Sequence, residues 1–350
     1  MSPPPSPSVP LPRVLVTGSA GFVGYHLCRL LLDEGFEVLG FDGMTDYYDV
    51  GLKRRRHAML LQHPRFGARE ARLEDRAAFD AAVDPFAPEV IVHLAAQAGV
   101  RFSLEQPLLY LESNVVGTLS VMEAARRHGV RHLLMASTSS VYGANAEMPF
   151  AETQKADTPL TIYAATKKAN EGMGHAWAHL YGLPTTMFRF FTVYGPWGRP
   201  DMALFRFVEA TLQGRPIDVY NHGEMWRDFT YVEDLVRAVR LLVDVPPLLP
   251  EAREPPGSVP PGDSLSPAAP FRVVNIGNGE SVRLLDFVEA IEAALGVPAV
   301  RNLLPLQPGD VPATWADTTL LRRLTGYAPR TDVREGVRRF VEWYREWKGL

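Results

Sequence analysis

Cysteine occurs once in the 350 residues, at position 28. No intrachain disulfide is therefore possible, and Cys28, inside an apolar helical stretch, reads as a small core residue in a chain suited to the reducing cytoplasm. No run of about 18 apolar residues exists, so no transmembrane helix is expected. The opening MSPPPSPSVPLP has neither the charged start nor the apolar stretch of a secretion signal. Residues 1–12 read instead as a disordered Pro/Ser tail. An excess of one charge sign is also missing: 36 Lys and Arg stand against 40 Asp and Glu, a net charge of −4. Neither nucleic acid nor an anionic membrane is therefore expected as a partner. The local exception, Lys53-Arg54-Arg55-Arg56-His57, reads as a solvated helix face. There is no internal repeat, and no metal site is expected.

What is present is the balance of a globular protein, 46% hydrophobic and 22% charged. From Arg13 to about Pro196 short apolar runs alternate with longer helix-like segments. VLVTG (from Val14), EVLGFD (from Glu37), EVIVHLA (from Glu89) and RHLLMAST (from Arg131) lack strict alternation of apolar and polar residues. That pattern belongs to parallel strands covered on both faces. An amphipathic stretch runs from Phe22 to Glu34. The pattern predicts an α/β fold with a doubly wound parallel sheet. After Pro196 strands become isolated (IDVY from Ile217, FRVVNIG from Phe271), with helices at Leu285 to Leu295 and Val333 to Trp347. Residues 13–196 are thus expected to form a nucleotide-binding domain and residues 197–350 mainly a smaller, mixed α/β substrate lobe, with a soft boundary. Residues 246–270, dense in Pro, Ser and Gly, read as a mobile surface loop.

TGSAGFVG places Gly18, Gly21 and Gly24 between a predicted strand and a predicted helix. Glycines there allow a tight turn, backbone approach to a pyrophosphate and close helix–strand packing. Phe22 and Val23 open the helix whose free N–H groups and partial positive charge face the phosphates. Asp42 ends the second strand, where its carboxylate can accept both adenosine ribose hydroxyls and repel the extra phosphate of NADP. NAD is the cofactor this favours. Ala95 and Ala96, leaving the fourth strand, let a cofactor lie against backbone; His93 before them reads as a satisfied core histidine. Tyr163 and Lys167, four apart on a helix, share a face. A phenol titrates near 10, too high for a base at neutral pH, and a nearby ammonium and a nicotinamide cation would lower that value. Thr138, ending a strand, supplies a hydroxyl for the reacting alcohol.

With these elements in place, AQAGVRFS, TSSVYG, YAATKKANE, HLYGLPTT, RFFTVYGPWGRPDMA, RDFTYVEDL, VVNIGNGE and PLQPGDV closely resemble the UDP-glucuronate 4-epimerases, a branch of the extended short-chain dehydrogenases with a Rossmann fold. The likeness runs from about Arg13 to Trp347, apart from the Pro-rich loop. It implies that Tyr163, Lys167 and Thr138 are catalytic. It implies that UDP-glucuronic acid is epimerised at carbon 4 through a 4-keto intermediate while NAD stays bound. Ser139 and Ser140 stand where related dehydratases carry an acidic pair and related decarboxylases a glutamate; serines can donate to a carboxylate instead. Thr192 stands where UDP-galactose epimerases usually carry Asn. Arg199 offers a fork to a uronate carboxylate; the alternative is that it anchors its loop through an ion pair with Asp201 or another acid. Arg227 resembles the diphosphate arginine, Asp310 the uridine-ribose carboxylate with Gln307 beside it, and Arg101 is a weaker candidate for that pocket. Where the family usually shows an adenine-contacting Asp, this chain has Arg72, so backbone of Leu73 would make the contact. The resemblance also implies a homodimer, packed through the Tyr163 helix, whose Ala164, Ala165, Ala169, Gly172 and Gly174 allow close approach, and the helix near Leu108 to Arg126. Rivals on the same scaffold are a UDP-glucose or UDP-galactose 4-epimerase and a UDP-glucuronate decarboxylase; a non-catalytic NAD-sensing protein is more remote.

Overall fold

Five buried runs and one mostly exposed edge strand, β3, account for most of the central sheet: β1 (Arg13–Thr17), β2 (Glu37–Asp42), β3 (Phe66–Glu70), β4 (Val90–His93), β5 (His132–Thr138) and β6 (Thr185–Phe190). The computed structural model describes residues 11–307 and 309–350; residues 1–10 of the expected tail lie outside the described residues. A seventh strand, Phe271–Ile276, pairs with β6. Across the sheet the order is the 271–276 strand, β6, β5, β4, β1, β2, β3, all parallel. The chain leaves β1 toward β2 and β3, then returns to the other side of β1 for β4. A crevice therefore opens beyond the carboxyl ends of β1 and β4, the topological switch point where such sheets hold ligands.

Helices cover both faces. Among them are α1 (Phe22–Asp33), α2 (Val50–Leu60) and α3 (Arg76–Phe86). Cys28 sits fully buried in the core between α1 and the sheet. The 20-residue helix Ile162–Tyr181 is capped by Thr161, whose side chain accepts from Ala164 N–H, and stops at Gly182 in the left-handed region.

The division at residue 196 needs correcting. The strand Phe271–Ile276, read from sequence as part of the second lobe, is buried along its length and extends the first domain's sheet. Helix Val232–Leu242 packs on α1 in the same layer. An unpaired β6 edge would expose its backbone N–H and C=O groups, and a distant segment satisfies them. The second lobe has its own aromatic core, including Tyr194, Phe205, Phe229, Phe287 and Phe340. There Phe229 and Phe287 stack at 3.9 Å.

Two readings of composition meet a different arrangement. The basic run lies on α2, but it is not a uniformly solvated face: Arg54 and Arg55 are exposed, while Lys53 is 6% and Arg56 0% accessible. Residues three apart share a helix side, and this side finds carbonyl acceptors inward. The Pro-rich segment 246–270 is anchored rather than free on the surface. Buried Arg253 donates to the carbonyls of Leu248, Ser266 and Ala269, and buried Asp263 pairs with Arg272 and Arg323. Two charged side chains thus do what the apolar content cannot.

Candidate active site

A cavity of about 910 Å³ runs from the carboxyl ends of β1 and β4 into the second lobe. At its sheet end it is walled by Gly18, Gly21, Phe22, Val23, Gly24, Asp42, Leu73, Ala95 and Ala96, every residue expected to touch the dinucleotide. The glycines are required by the turn itself. A Cβ on Gly18, at φ +75°, would meet backbone of Ala95 at 2.8 Å, and one on Gly24 would lie 2.0 Å from the Gly18 carbonyl. The first turn of α1 has no side-chain cap and no acidic residue, so its N–H groups face the cavity for an anion. Asp42 is braced by Ala20 N–H at 3.0 Å and Met44 N–H at 2.8 Å. Gln97 Nε2 is buried without a protein partner on the same wall. A cradle for phosphates, a braced carboxylate for ribose and a spare buried donor together fit NAD.

Arg72 also lines this end, paired with Glu74 at 2.8 Å. Just before it, Ala71 N–H donates to the Asp42 carbonyl at 3.1 Å, which holds the chain leaving β3 beside Asp42. His93 bonds Thr17 at 2.7 Å and Thr118 at 2.9 Å, and burial lowers its pKa to about 3. It is a neutral, satisfied core group.

The Tyr163 helix crosses the carboxyl end of β5. Lys167 Nζ donates to the Ala136 carbonyl at 2.8 Å, and burial lowers its pKa to about 8. Burial raises the Tyr163 phenol; a hydrogen bond with Thr138 and the positive field of Arg199 oppose that rise. Arg199 thus joins Lys167 and the nicotinamide cation, the charges expected from sequence, as a positive group near the phenol. Lys167 reaches this wall from the helix and Arg199 from a loop of the second lobe.

Tyr163, Lys167, Ser140, Thr192, Arg199, Arg227 and Asp310 all line the cavity. Thr138 lies just behind the wall, sharing its hydroxyl with Ser140 N–H and Oγ, each at 3.2 Å. Ser139 and Gln307 do not reach the wall. The turn that begins at Ser139 points Ser140 inward instead, and Gln307 presents its backbone carbonyl to Asp310 N–H at 3.2 Å. Arg199 holds Asp201 through a fork, Nε at 3.0 Å and Nη2 at 2.6 Å, and Nη2 also reaches the Ala98 carbonyl. The loop-anchoring pair weighed from sequence is present, and it leaves Nη1 for a ligand. At the far end Arg101 pairs with Asp310 at 3.1 Å and covers the Tyr220 ring at 4.7 Å. Arg227 donates to the carbonyls of Trp226, Val311 and Pro312.

One supporting residue went unread. Glu171, four residues beyond Lys167, accepts Ser137 Oγ at 2.7 Å and the fork of Arg189 at 2.9 Å twice. Burial alone would raise its pKa; Arg189 outweighs that and holds it below the usual carboxylate range. The pair ties the Tyr163 helix to β5 and β6. Its signal was its place as the third member of the four-residue spacing Tyr163, Lys167, Glu171.

A family model described as NAD dependent epimerase/dehydratase family matches residues 14–251. A probable UDP-glucuronate 4-epimerase of Rhizobium meliloti (strain 1021) is 58% identical over 332 residues, covering 95% of this chain and 96% of that one. Among solved structures, the UDP-glucuronic acid 4-epimerase of Bacillus cereus in complex with UDP-glucuronic acid and NAD superposes with a TM-score of 0.82 at 28% identity, covering 96% and 99%. The UDP-glucose 4-epimerase of Thermotoga maritima with UDP-glucose gives 0.79 at 26% identity, covering 96% and 99%. Backbone shape is thus shared between enzymes named for different sugars, and the choice of sugar rests with side chains.

Proposed function

The chain belongs to the NAD-dependent epimerase/dehydratase family, and within it we propose that it interconverts UDP-glucuronic acid and UDP-galacturonic acid at carbon 4, retaining NAD through the cycle. The observation that carries this reading is the placement of Arg199: its guanidinium lines the same cavity as Tyr163, with Nε and Nη2 engaged by the protein and Nη1 left for a ligand. A carboxylate on the sugar gives that charge a partner; a neutral hexose does not.

In the reaction, the Tyr163 phenolate takes the proton from the 4-hydroxyl, which Thr138 orients. Lys167, on the same cavity wall, is assigned to hold the cofactor ribose and to favour the phenolate by its charge. Bound NAD supplies the chemistry of accepting a hydride from carbon 4 and returning it to the opposite face. The 4-keto sugar is a β-keto acid, which loses CO₂ when its carboxylate bond aligns with the carbonyl π system. Ser140, Thr192 and Arg199 Nη1 are the donors that would hold the carboxylate out of that alignment and keep its charge localised. Arg227 and Asp310 are assigned to the diphosphate and uridine ribose, beside the strand Ile217–Tyr220.

The reading includes a homodimer. Leu108, 65% exposed, with Leu111, Val116 and Leu119, forms an uncovered apolar face. On the Tyr163 helix Ala165, Ala169 and Gly172 turn outward at helical spacing, whereas Ala164 and Gly174 face the sheet. It also includes a cytoplasmic setting. Among the described residues no helix is long and apolar enough to cross a membrane. Purified protein given UDP-glucuronic acid without added NAD should yield UDP-galacturonic acid on chromatography; a pentose product, or unchanged substrate, overturns the assignment.

A further inference from the structure

Arg56 belongs to the basic run of α2, yet no part of it is exposed. A buried guanidinium is costly unless its donors are satisfied; here Nη1 and Nη2 are bonded and Nε is without a partner among the described residues. Its acceptors are neutral and come from three places. One is the Ala20 carbonyl of the glycine-rich turn, at 3.1 Å. The second is the Tyr48 hydroxyl, at 2.8 Å. The third is the turn before Arg199, where it holds the carbonyls of Trp197 at 2.5 Å and Gly198 at 3.3 Å. Trp197 is itself unusual, with φ +60°. A bulky residue in the left-handed region is strained and persists only where its surroundings over-determine it. Three ties do so here. Besides Arg56, neutral His26 donates from Nε2 to the Pro196 carbonyl at 2.9 Å, and Tyr25 packs edge-on against the indole at 5.8 Å. The turn 196–198 is therefore gripped by α1 and α2, elements of the cofactor side, and its next residue is Arg199.

We propose that Arg56 is a positioning residue that sets the Arg199 guanidinium for the uronate carboxylate and links it rigidly to the dinucleotide-binding turn. The proposal rests on the reading of Arg199 given above. It explains why a charge is buried among neutral acceptors: the fork alone spans two loops whose separation decides where the sugar carboxylate meets its partner. Losing the alignment of one charge-assisted hydrogen bond costs about tenfold in binding.

The test uses the full chain with its NAD in a Tyr163→Phe background, so that no turnover occurs, and titrates UDP-glucuronic acid and UDP by calorimetry. Arg56→Lys keeps the charge but cannot span the acceptors. Its Kd for UDP-glucuronic acid should rise about tenfold while that for UDP changes by less than about twofold. His26→Leu removes one tie to the same turn without stranding a charge, and should shift the same ratio by about threefold; it decides the matter if Arg56→Lys does not fold. In an Arg199→Met background Arg56→Lys should add nothing further, since the two act as one unit. Equal weakening of both ligands, or no change in a folded variant, overturns the proposal. If Arg199→Met itself leaves the ratio unchanged, the carboxylate reading has failed; if Arg199→Met shifts it and the Arg56 and His26 variants do not, only the positioning role has.

Discussion

Replacing Arg199 by Met separates a uronate enzyme from its neighbours on the same scaffold. Met keeps an apolar side chain beside the Tyr47 and Tyr48 rings, which lie 5.4 and 6.0 Å from the guanidinium carbon. It removes the charge. A charge-assisted hydrogen bond is worth about 1.5–3 kcal/mol. Two features narrow that range. Nε and Nη2 are already committed to Asp201 and Ala98, so one nitrogen serves the ligand. The Asp201 carboxylate also offsets part of the guanidinium field. The lower end, about 1.5 kcal/mol, corresponds to a little over tenfold in Kd. UDP-glucose should change by less than about threefold, because its hydroxymethyl group has only neutral bonds to lose. Calorimetry with both ligands in the Tyr163→Phe background gives the ratio. In the otherwise active enzyme the freed carboxylate should align and leave as CO₂. The carbon–carbon electron pair then stays at carbon 5 and picks up a proton, releasing UDP-4-keto-pentose. No hydride returns, so without added NAD the reaction stops after a single turnover. If the substitution weakens both ligands equally and no keto-pentose appears on chromatography, Arg199 serves only to hold its loop through Asp201.

Tyr163→Phe should reduce epimerisation at least about a hundredfold while UDP-glucuronic acid binding stays near parental, because only proton chemistry is removed; higher residual activity by product analysis would exclude Tyr163 as the base. Stability should fall on acidification below pH 6.5. His26, His93 and His132 are buried with pKa values lowered to about 3, 3 and 4, mainly by desolvation. Between those values and 6.5 the unfolded chain binds protons the native state refuses, so each histidine costs up to about 2 kcal/mol at pH 5. Glu152, raised to about 7 by burial, has the opposite sign over pH 4.5–7 and offsets one of the three. Urea unfolding at pH 7 and pH 5 should show the loss; equal or greater stability at pH 5 would refute it. Light scattering at micromolar concentration should give a dimer, and Leu108→Glu should shift it toward monomer; a monomeric parent protein would remove the assigned interface.

Much of the site was legible because its signals are local. Gly18, Gly21 and Gly24 are spaced by the geometry of one turn, and Tyr163 and Lys167 by one helical repeat. The buried runs of β1, β2, β4 and β5 are apolar whatever lies beside them. Ser139 and Ser140, by contrast, are adjacent and chemically alike, and only the turn they enter sends Ser140 inward and leaves Ser139 off the wall. Nothing within the run 53–57 distinguishes Arg56 from Arg55; a carbonyl about 140 residues away does.

The sequence by itself determined the doubly wound sheet, and it marked out the glycine-rich turn, the candidate catalytic phenol and lysine, and the candidate carboxylate partner, since periodicity and short motifs are properties of neighbouring residues. Tertiary structure alone decided that the strand Phe271–Ile276 completes the central sheet, that Arg199 joins Tyr163 on one cavity wall, and that Arg56 is buried between two loops. Those outcomes depend on which groups approach across a hundred or more residues, and there the cost of leaving a buried donor or charge unpaired, not local preference, selects the partner.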